Sequence, residues 1–377
     1  MTKTQAQLLA CISRELLQQP QDIQITAEMI EESEKQAVFS LLPLDEDDRW
    51  LHLLSQNMRS TYEHQWLHEL LSSNDVSYCM LKGIVSASYY PDPDRRTMGD
   101  VDFIVYPEDM VRVSSLLEAQ GYTRINEVHD HHVPFQKEQS ILEMHWELSG
   151  MPADQPRLKE LMANLIDKAS LKNGCMQPSA FHHGLILLMH TAEHMLNTGI
   201  GLRHLCDWAV FCNSFANSAF TDLFEKKLKE TGMWRFAQLL ALTSVKYLSV
   251  PYQSWMGAAD DTLLRDLMDD ILASGNFGTK DPSRINEAKL MTDRHSRTVK
   301  RNSMIGQLFS TLTWKAYLEW PVCEKHKILL PIGWAYISLR HLQRIKYGTR
   351  PQINLKSTIA GAKRRRDIYE EFRLFQP

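Results

Sequence analysis

The sequence predicts an α+β protein: a small mixed sheet flanked by N-terminal helices and followed by a large helical C-terminal region. Two observations carry this. Apolar residues recur at helical spacing on both sides of the chain's middle, with Leu8, Leu9, Ile12 and Leu16 near the start and Leu185, Leu188, Met189 and Met195 further on. Between Val76 and Leu148 the texture changes to short alternating or continuous apolar segments separated by turn residues, the pattern of strands. The expected boundaries are 1–72 for the N-terminal helical segment, 73–150 for the sheet-containing core and 151–377 for the helical remainder.

Taken in order, Trp50, Leu53, Leu54 and Met58 extend the N-terminal helical pattern, which Pro20 and Pro43 punctuate. Tyr78 to Leu81 reads as a strand, Gly83 as a turn, Ile84 to Tyr90 as a short helix and Val101 to Tyr106 as a second strand. A helix follows from Pro107, a residue favoured at helix starts, to about Gln120, where Gly121 stops it. Tyr122 to Glu127, Val133 to Lys137 and Ile141 to Leu148 read as further strands, the last two joined by the tight linker Glu138, Gln139 and Ser140. This second half of the sheet should be largely antiparallel. From about Pro156 onward the pattern is helical, with Phe236, Leu239, Leu240 and Tyr247 on one run. The polar stretch Ser274 to Arg301, carrying Gly275, Gly278 and Pro282, reads as a long exposed loop. No internal repeat is visible.

Composition narrows the class. A chain of 377 residues can bury a substantial core without disulfide staples. Its six cysteines, Cys11, Cys79, Cys175, Cys206, Cys212 and Cys323, form no CxxC pair, which argues against a zinc ribbon or secreted framework and for a reducing cytoplasm. Residues Met1 to Ala10 lack the apolar run of an export signal. The longest apolar stretch, Ile328 to Leu339, is broken by Pro331 and falls short of the roughly 20 residues a membrane span needs. A soluble, cytoplasmic protein is expected. The net charge of -4 gives no general pull toward nucleic acid. The basic cluster Lys363, Arg364, Arg365 and Arg366 reads as a solvated helix face.

The richest chemistry lies in Asp100-Val101-Asp102-Phe103-Ile104-Val105. Side chains two apart on a strand share a face, so Asp100 and Asp102 project together while Val101, Phe103 and Val105 face a core. Two adjacent carboxylates with no base between them repel unless a proton or cation intervenes. Magnesium is the natural cation, since it binds one or two carboxylates plus a substrate's phosphates; manganese is the expected substitute. An isolated DxD is more often a polar turn edge, so the context decides. In Ile141 to Leu148, the residues Leu142, Met144, Trp146 and Leu148 form one face and Glu143, His145 and Glu147 the other. Glu143 is the expected third carboxylate, with Glu147 the alternative if the register differs. His145 would sit beside it as a phosphate contact or proton acceptor.

Upstream, Lys82 and Gly83 lie between a strand and a helix, where backbone N–H groups and a lysine point charge would meet a triphosphate. Arg96 either clamps a phosphate over the same site or is one more exposed arginine in the polar run Asp92 to Gly99. His190-Thr191-Ala192-Glu193-His194 matches the H-x-x-E-H pattern of some zinc peptidases, but no third ligand follows in matching context and the match reads as chance. His129, His131 and His132 are too close in sequence for all three to face one ion and read as a polar loop.

Taken together, Leu81-Lys82-Gly83, Tyr90-Pro91-Asp92-Pro93, Arg96, Met98-Gly99-Asp100-Val101-Asp102 and Glu143-Met144-His145-Trp146 resemble the uncharacterised bacterial nucleotidyltransferase family related to polymerase beta-type enzymes. Gly201 to Asp207 is similar to that family's helical Arg-x-x-x-Asp element, and Lys327 to Arg340 to its Pro-containing C-terminal helix. The resemblance implies that Asp100, Asp102 and Glu143 are the metal carboxylates and Gly83 the phosphate-facing glycine. It implies transfer of a nucleoside monophosphate from a nucleoside triphosphate, with ATP the expected donor, to a hydroxyl of an unidentified small-molecule or protein acceptor. The family pattern has Ser or Gly after that glycine; here Ile84 follows Gly83. That departure motivates the alternative, a catalytically inactive relative that binds a nucleotide or a partner.

Overall fold

A computed structural model describes residues 1–125, 131–152, 154–292, 304–346 and 355–376. Three helices lead: α1 (Lys3–Leu16), α2 (Ala27–Lys35) and α3 (Asp48–Ser72). Each starts on a side chain that accepts from an otherwise orphaned backbone N–H: Thr2 with Gln5 in a reciprocal box, Thr26, and Asp47.

The sheet follows as β1 (Tyr78–Met80), α4 (Ile84–Ala87), β2 (Val101–Val105), α5 (Met110–Ala119), β3 (Thr123–Arg124), β4 (His132–Lys137) and β5 (Ser140–His145). Its strand order is β1-β2-β5-β4-β3, with β2 and β5 parallel and every other pair antiparallel. The mixed sheet and its antiparallel second half agree with the sequence pattern. Alternation along the strands puts Val101, Phe103, Val105, Leu142, Met144 and Phe135 on one face, where they pack on Leu67 and Leu71 of α3 and Val113 and Leu117 of α5. The opposite face carries the polar residues together with Cys79 and Ile104, which pack with the helical remainder.

The helical remainder contains α6 (Pro156–Met162), a hairpin of β6 (Ser170–Lys172) and β7 (Cys175–Gln177), α7 (Ala180–Leu196), α8 (Leu202–Asn213), α9 (Asn217–Phe220), α10 (Lys226–Glu230), α11 (Trp234–Leu248) and α12 (Asp261–Ser274). It continues with α13 (Arg284–Met291), α14 (Met304–Glu319), α15 (Val322–Lys325), α16 (Leu330–Lys346) and α17 (Leu355–Glu370). A second, larger core joins α1, α7, α8, α11 and α12. Among the described residues, no helix is long and apolar enough to cross a membrane.

Several expectations are corrected. The last strand ends at His145 rather than Leu148, because the chain leaves the sheet where the Trp146 N–H donates to the His131 carbonyl at 3.1 Å. The strand expected to Glu127 is two residues long at 123–124; Asn126 and Glu127, like His129, lie outside the described residues. The β6–β7 hairpin interrupts a region that reads as helix, and its signal was the Asn173-Gly174 pair, whose positive φ values of 49° and 77° suit a tight hairpin turn. Of the loop expected from Ser274 to Arg301, residues 293–301 lie outside the described residues, and the rest contains α13, where the buried Arg284 donates to both Asp270 oxygens at 2.8 and 2.9 Å.

The C-terminal basic cluster is likewise not uniformly solvated. Arg365 is fully buried, ion-paired with Glu287 at 3.1 Å and donating to the carbonyls of Met195 and Asn197 at 2.9 and 3.0 Å. It satisfies the carbonyl end of α7, which carries one wall of the cavity described next. Replacing Arg365 by alanine should therefore destabilise the protein by about 3–5 kcal/mol, because Glu287 and those carbonyls lose their partner. Urea unfolding measures this, and a loss below 1 kcal/mol, on the order of an exposed pair, would refute it.

Candidate active site

The parallel pairing of β2 and β5 sets Asp102 directly against Glu143 and Ile104 against His145, while antiparallel pairing sets His132 against His145. Register thus brings an aspartate, a glutamate and two histidines from three strands onto the face opposite the small core. Asp102 is the hub and is 4 % exposed. Its Oδ1 lies 2.8 Å from the Lys82 ammonium and 3.1 Å from His145 Nε2. His145 Nε2 is also 3.5 Å from Glu143 Oε2, and His132 Nε2 is 3.7 Å from Glu143 Oε1. One donor atom each from Asp102, Glu143 and His145 falls within a 4.8 Å cluster.

Asp100 sits one residue ahead of β2 at the cavity mouth. The negative charge of Asp102 pushes its carboxyl up to about 6. Burial alone would push Asp102 up too, but the Lys82 ammonium and the His145 hydrogen bond outweigh it and hold that carboxyl well below the usual range. Burial works against the charged form of His145, and its hydrogen bonds to Asp102 and Glu143 more than offset it, so its pKa is raised. His145 Nε2 is thus held between the carboxylates of Asp102 and Glu143.

These groups form one side of a cavity of about 290 Å³. The other side is helical: His190, Thr191, Glu193 and His194 of α7, Arg203, His204 and Asp207 of α8, and Phe277. Phe277 adopts a left-handed backbone conformation (φ 55°), unusual for a bulky residue, and lays its ring against His194 (4.5 Å), His204 (5.2 Å) and the Arg203 guanidinium (5.4 Å). A buried tie joins the two sides. Arg96 donates from Nε and Nη2 to both Asp207 oxygens at 2.8 Å, and the Tyr90 hydroxyl donates to Oδ1 at 2.8 Å.

A family model described as an uncharacterised nucleotidyltransferase matches residues 30–249, more than half of the chain and all of the residues that tie the two sides together. The chain belongs to this nucleotidyltransferase family. No curated protein matches it. Family membership assigns nucleotidyl transfer as the chemistry and a nucleotide as substrate, and the matched span covers both the sheet and the α7–α8 wall.

In this nucleotidyltransferase, all of the expected site residues line the one cavity: Lys82, Gly83, Arg96, Asp100, Asp102, Glu143 and His145. The alternative Glu147 lies beyond the end of β5, 4.0 Å from Lys159. Gly83 has φ 59°, and a Cβ there would meet His64 Nε2 at 3.2 Å, so side-chain-bearing residues are strained at this turn. The helix it starts, α4, is a single turn. Such a turn sums few peptide dipoles, so charge on the phosphate side falls to side chains. The guanidinium of Arg96 is committed to Asp207.

Arg203 was outside the expected set. Its one side-chain hydrogen bond, to the Thr97 carbonyl, is 3.5 Å long, and no carboxylate pairs with it among the described residues. Burial, then the nearby Arg96 guanidinium, push its pKa down. The H-x-x-E-H residues do line the cavity, but His190, Glu193 and His194 do not gather their donor atoms into a metal-sized cluster. His131 and His132, read from sequence as loop, stand beside His145 with ring centroids 5.8 and 4.9 Å away.

Proposed function

We propose that this chain transfers a nucleoside monophosphate from a nucleoside triphosphate, ATP being the expected donor, to a hydroxyl of a small molecule or protein, by the divalent-cation chemistry of polymerase beta-type enzymes. The observation that carries the reading is the in-register pairing of Asp102 with Glu143, with Asp100 beside them. The donors fit magnesium or manganese: they are carboxylate oxygens, and the raised proton affinity of Asp100 marks unneutralised negative charge. Asp100, Asp102 and Glu143 would hold the cation. When bound, it neutralises charge on the transferring phosphoryl group.

The chain's own residues supply the rest. Lys82 presents a donor to phosphate oxygens at the sheet wall, and Gly83 leaves room for their approach. Arg203 offers unpaired guanidinium N–H groups across the cavity, and Phe277 holds that group in place. As the acceptor hydroxyl's oxygen bonds to the α-phosphorus, its proton passes to solvent, the bond to the β-phosphate bridging oxygen breaks and pyrophosphate departs. The free, buried thiols support the expectation of a reducing, cytoplasmic setting.

The deciding experiment is calorimetry of nucleoside triphosphates with and without a divalent cation. Cation-dependent binding that is lost in Asp100→Ala supports the reading, and binding indifferent to both counts against it. Arg203→Gln should weaken triphosphate binding about 10- to 100-fold, the loss of roughly 1.5–3 kcal/mol for charge-assisted hydrogen bonds, and leave nucleoside binding unchanged. Equal losses for triphosphate and nucleoside would show that the arginine does not serve the phosphates.

A second reading rests on one contact. Because Lys82 already neutralises Asp102 at 2.8 Å, the fold is satisfied without a cation, as a noncatalytic nucleotide- or partner-binding descendant would be. Pyrophosphate release with any acceptor removes that reading.

A further inference from the structure

Adjacent residues on a strand face opposite ways, so His131 and His132 should diverge. They do not, because His131 lies in a bend just ahead of β4 while His132 opens the strand, buried and opposite His145. The three rings gather, with centroid separations of 4.6, 4.9 and 5.8 Å, and one ring nitrogen from each falls within 4.8 Å of the others. Glu143 stands between them and the aspartates, its two oxygens 3.7 and 3.5 Å from His132 Nε2 and His145 Nε2.

Two ligands bound at about 2.1 Å are at most about 4.2 Å apart, so the rings must close up further to share one ion. Its donors differ in kind from those of the aspartate pair. Magnesium takes oxygen ligands almost exclusively, whereas imidazole favours borderline first-row ions such as zinc or cobalt. Two of the three rings, His132 and His145, also approach one carboxylate, Glu143, at the cavity wall.

We propose that His131, His132 and His145, with Glu143 as the bridging carboxylate, form a nitrogen-rich site for a divalent first-row transition ion, beside the all-oxygen site of the aspartates. This does not rest on nucleotidyl transfer, only on the geometry of the three rings. Its consequence is that the cavity has two cation positions of unlike selectivity.

The test uses the full chain, stripped with a chelator and titrated with Co2+ while its visible absorption is followed. One equivalent should bind with a spectrum displaced from that of aqueous Co2+, be expelled by Zn2+ and be indifferent to Mg2+. His131→Ala, at a partly exposed bend that tolerates truncation, and His132→Asn should each weaken Co2+ binding about tenfold or more. His194→Gln, on the opposite wall, should leave it unchanged. An aqueous-type spectrum, full competition by Mg2+, undiminished binding in His131→Ala, or loss in His194→Gln each overturns the proposal. Triphosphate calorimetry on the same samples separates the two ideas: Co2+ binding without nucleotide binding removes only the transfer reading, and the converse removes only this site.

Discussion

Asp102→Asn is expected to lower nucleotidyl transfer by about three orders of magnitude, which corresponds to about 4 kcal/mol of lost transition-state stabilisation. The effect is large because Asp102 does several things from one position. It faces Glu143 across the parallel pair, it holds the Lys82 ammonium at 2.8 Å, and it anchors His145 at 3.1 Å. The amide keeps the shape but not the charge, so the cation set loses its central member and the Lys82 ammonium keeps its burial without its counter-ion. Stability should fall as well, by about 3–5 kcal/mol if the lysine stays charged. Pyrophosphate release and urea unfolding on the same preparation read the two losses separately. A variant that retains transfer within tenfold of the parent would remove Asp102 from the mechanism.

The second large effect is on stability in mild acid. His64 and His183 are completely buried and His204 nearly so. Burial pushes His64 down to about 4 and His183 to about 3, and His204 well below its usual value. All three are neutral in the folded protein at pH 7, and an unfolded chain protonates them near 6.5. Below that value the unfolded state binds protons that the folded state refuses, so stability is intact above about pH 7 and falls as the pH drops. These three alone give a slope of about 4 kcal/mol per pH unit, or about 6 kcal/mol lost by pH 5, and His182, His190 and His194, also pushed down by burial, add to it. That is comparable with the whole stability of a typical domain, roughly 5–15 kcal/mol. The depressed Asp102 acts in the same direction but only at lower pH, since its contribution is lost below the unfolded carboxylate value.

Urea midpoints at pH 7.5, 6 and 5 would trace this decline. His183→Phe removes one of these groups while keeping a ring beside Tyr89 and Phe211, and should flatten the slope by about 1.4 kcal/mol per pH unit. Midpoints that do not move between pH 7.5 and 5 would mean that these rings are charged in the folded state.

The legible half of the candidate site was the half written along strands. Asp100 and Asp102 announce a shared face by their spacing, and the alternation of Leu142, Glu143, Met144 and His145 sorts core from cavity without any knowledge of pairing. What alternation could not give is register. That Glu143 rather than Glu147 meets Asp102 follows from where β5 ends. The histidines show the same limit, since period-two logic separates His131 from His132 and a single bend before β4 reunites them.

The helical wall was harder for a different reason. Arg203, His204 and Phe277 come from the start of one helix and a loop more than seventy positions later; the Arg-x-x-x-Asp likeness marks the first segment, and nothing local in the second marks a cavity. Arg365 was misread because a run of four basic residues looks uniformly solvated. A helix turns each residue about 100° from the last, and one of the four points into the core.

The tie between Arg96, Tyr90 and Asp207 has a consequence for anyone building chimeras of this family. The strand unit ending at His145 is a contiguous piece and an obvious cassette to graft, yet the cassette carries a buried guanidinium whose counter-ion, Asp207, stays behind on α8. A hybrid that takes the strands from one parent and the helices from another must import the aspartate along with the arginine. Otherwise it inherits an uncompensated charge in its interior along with the carboxylates it was built to borrow.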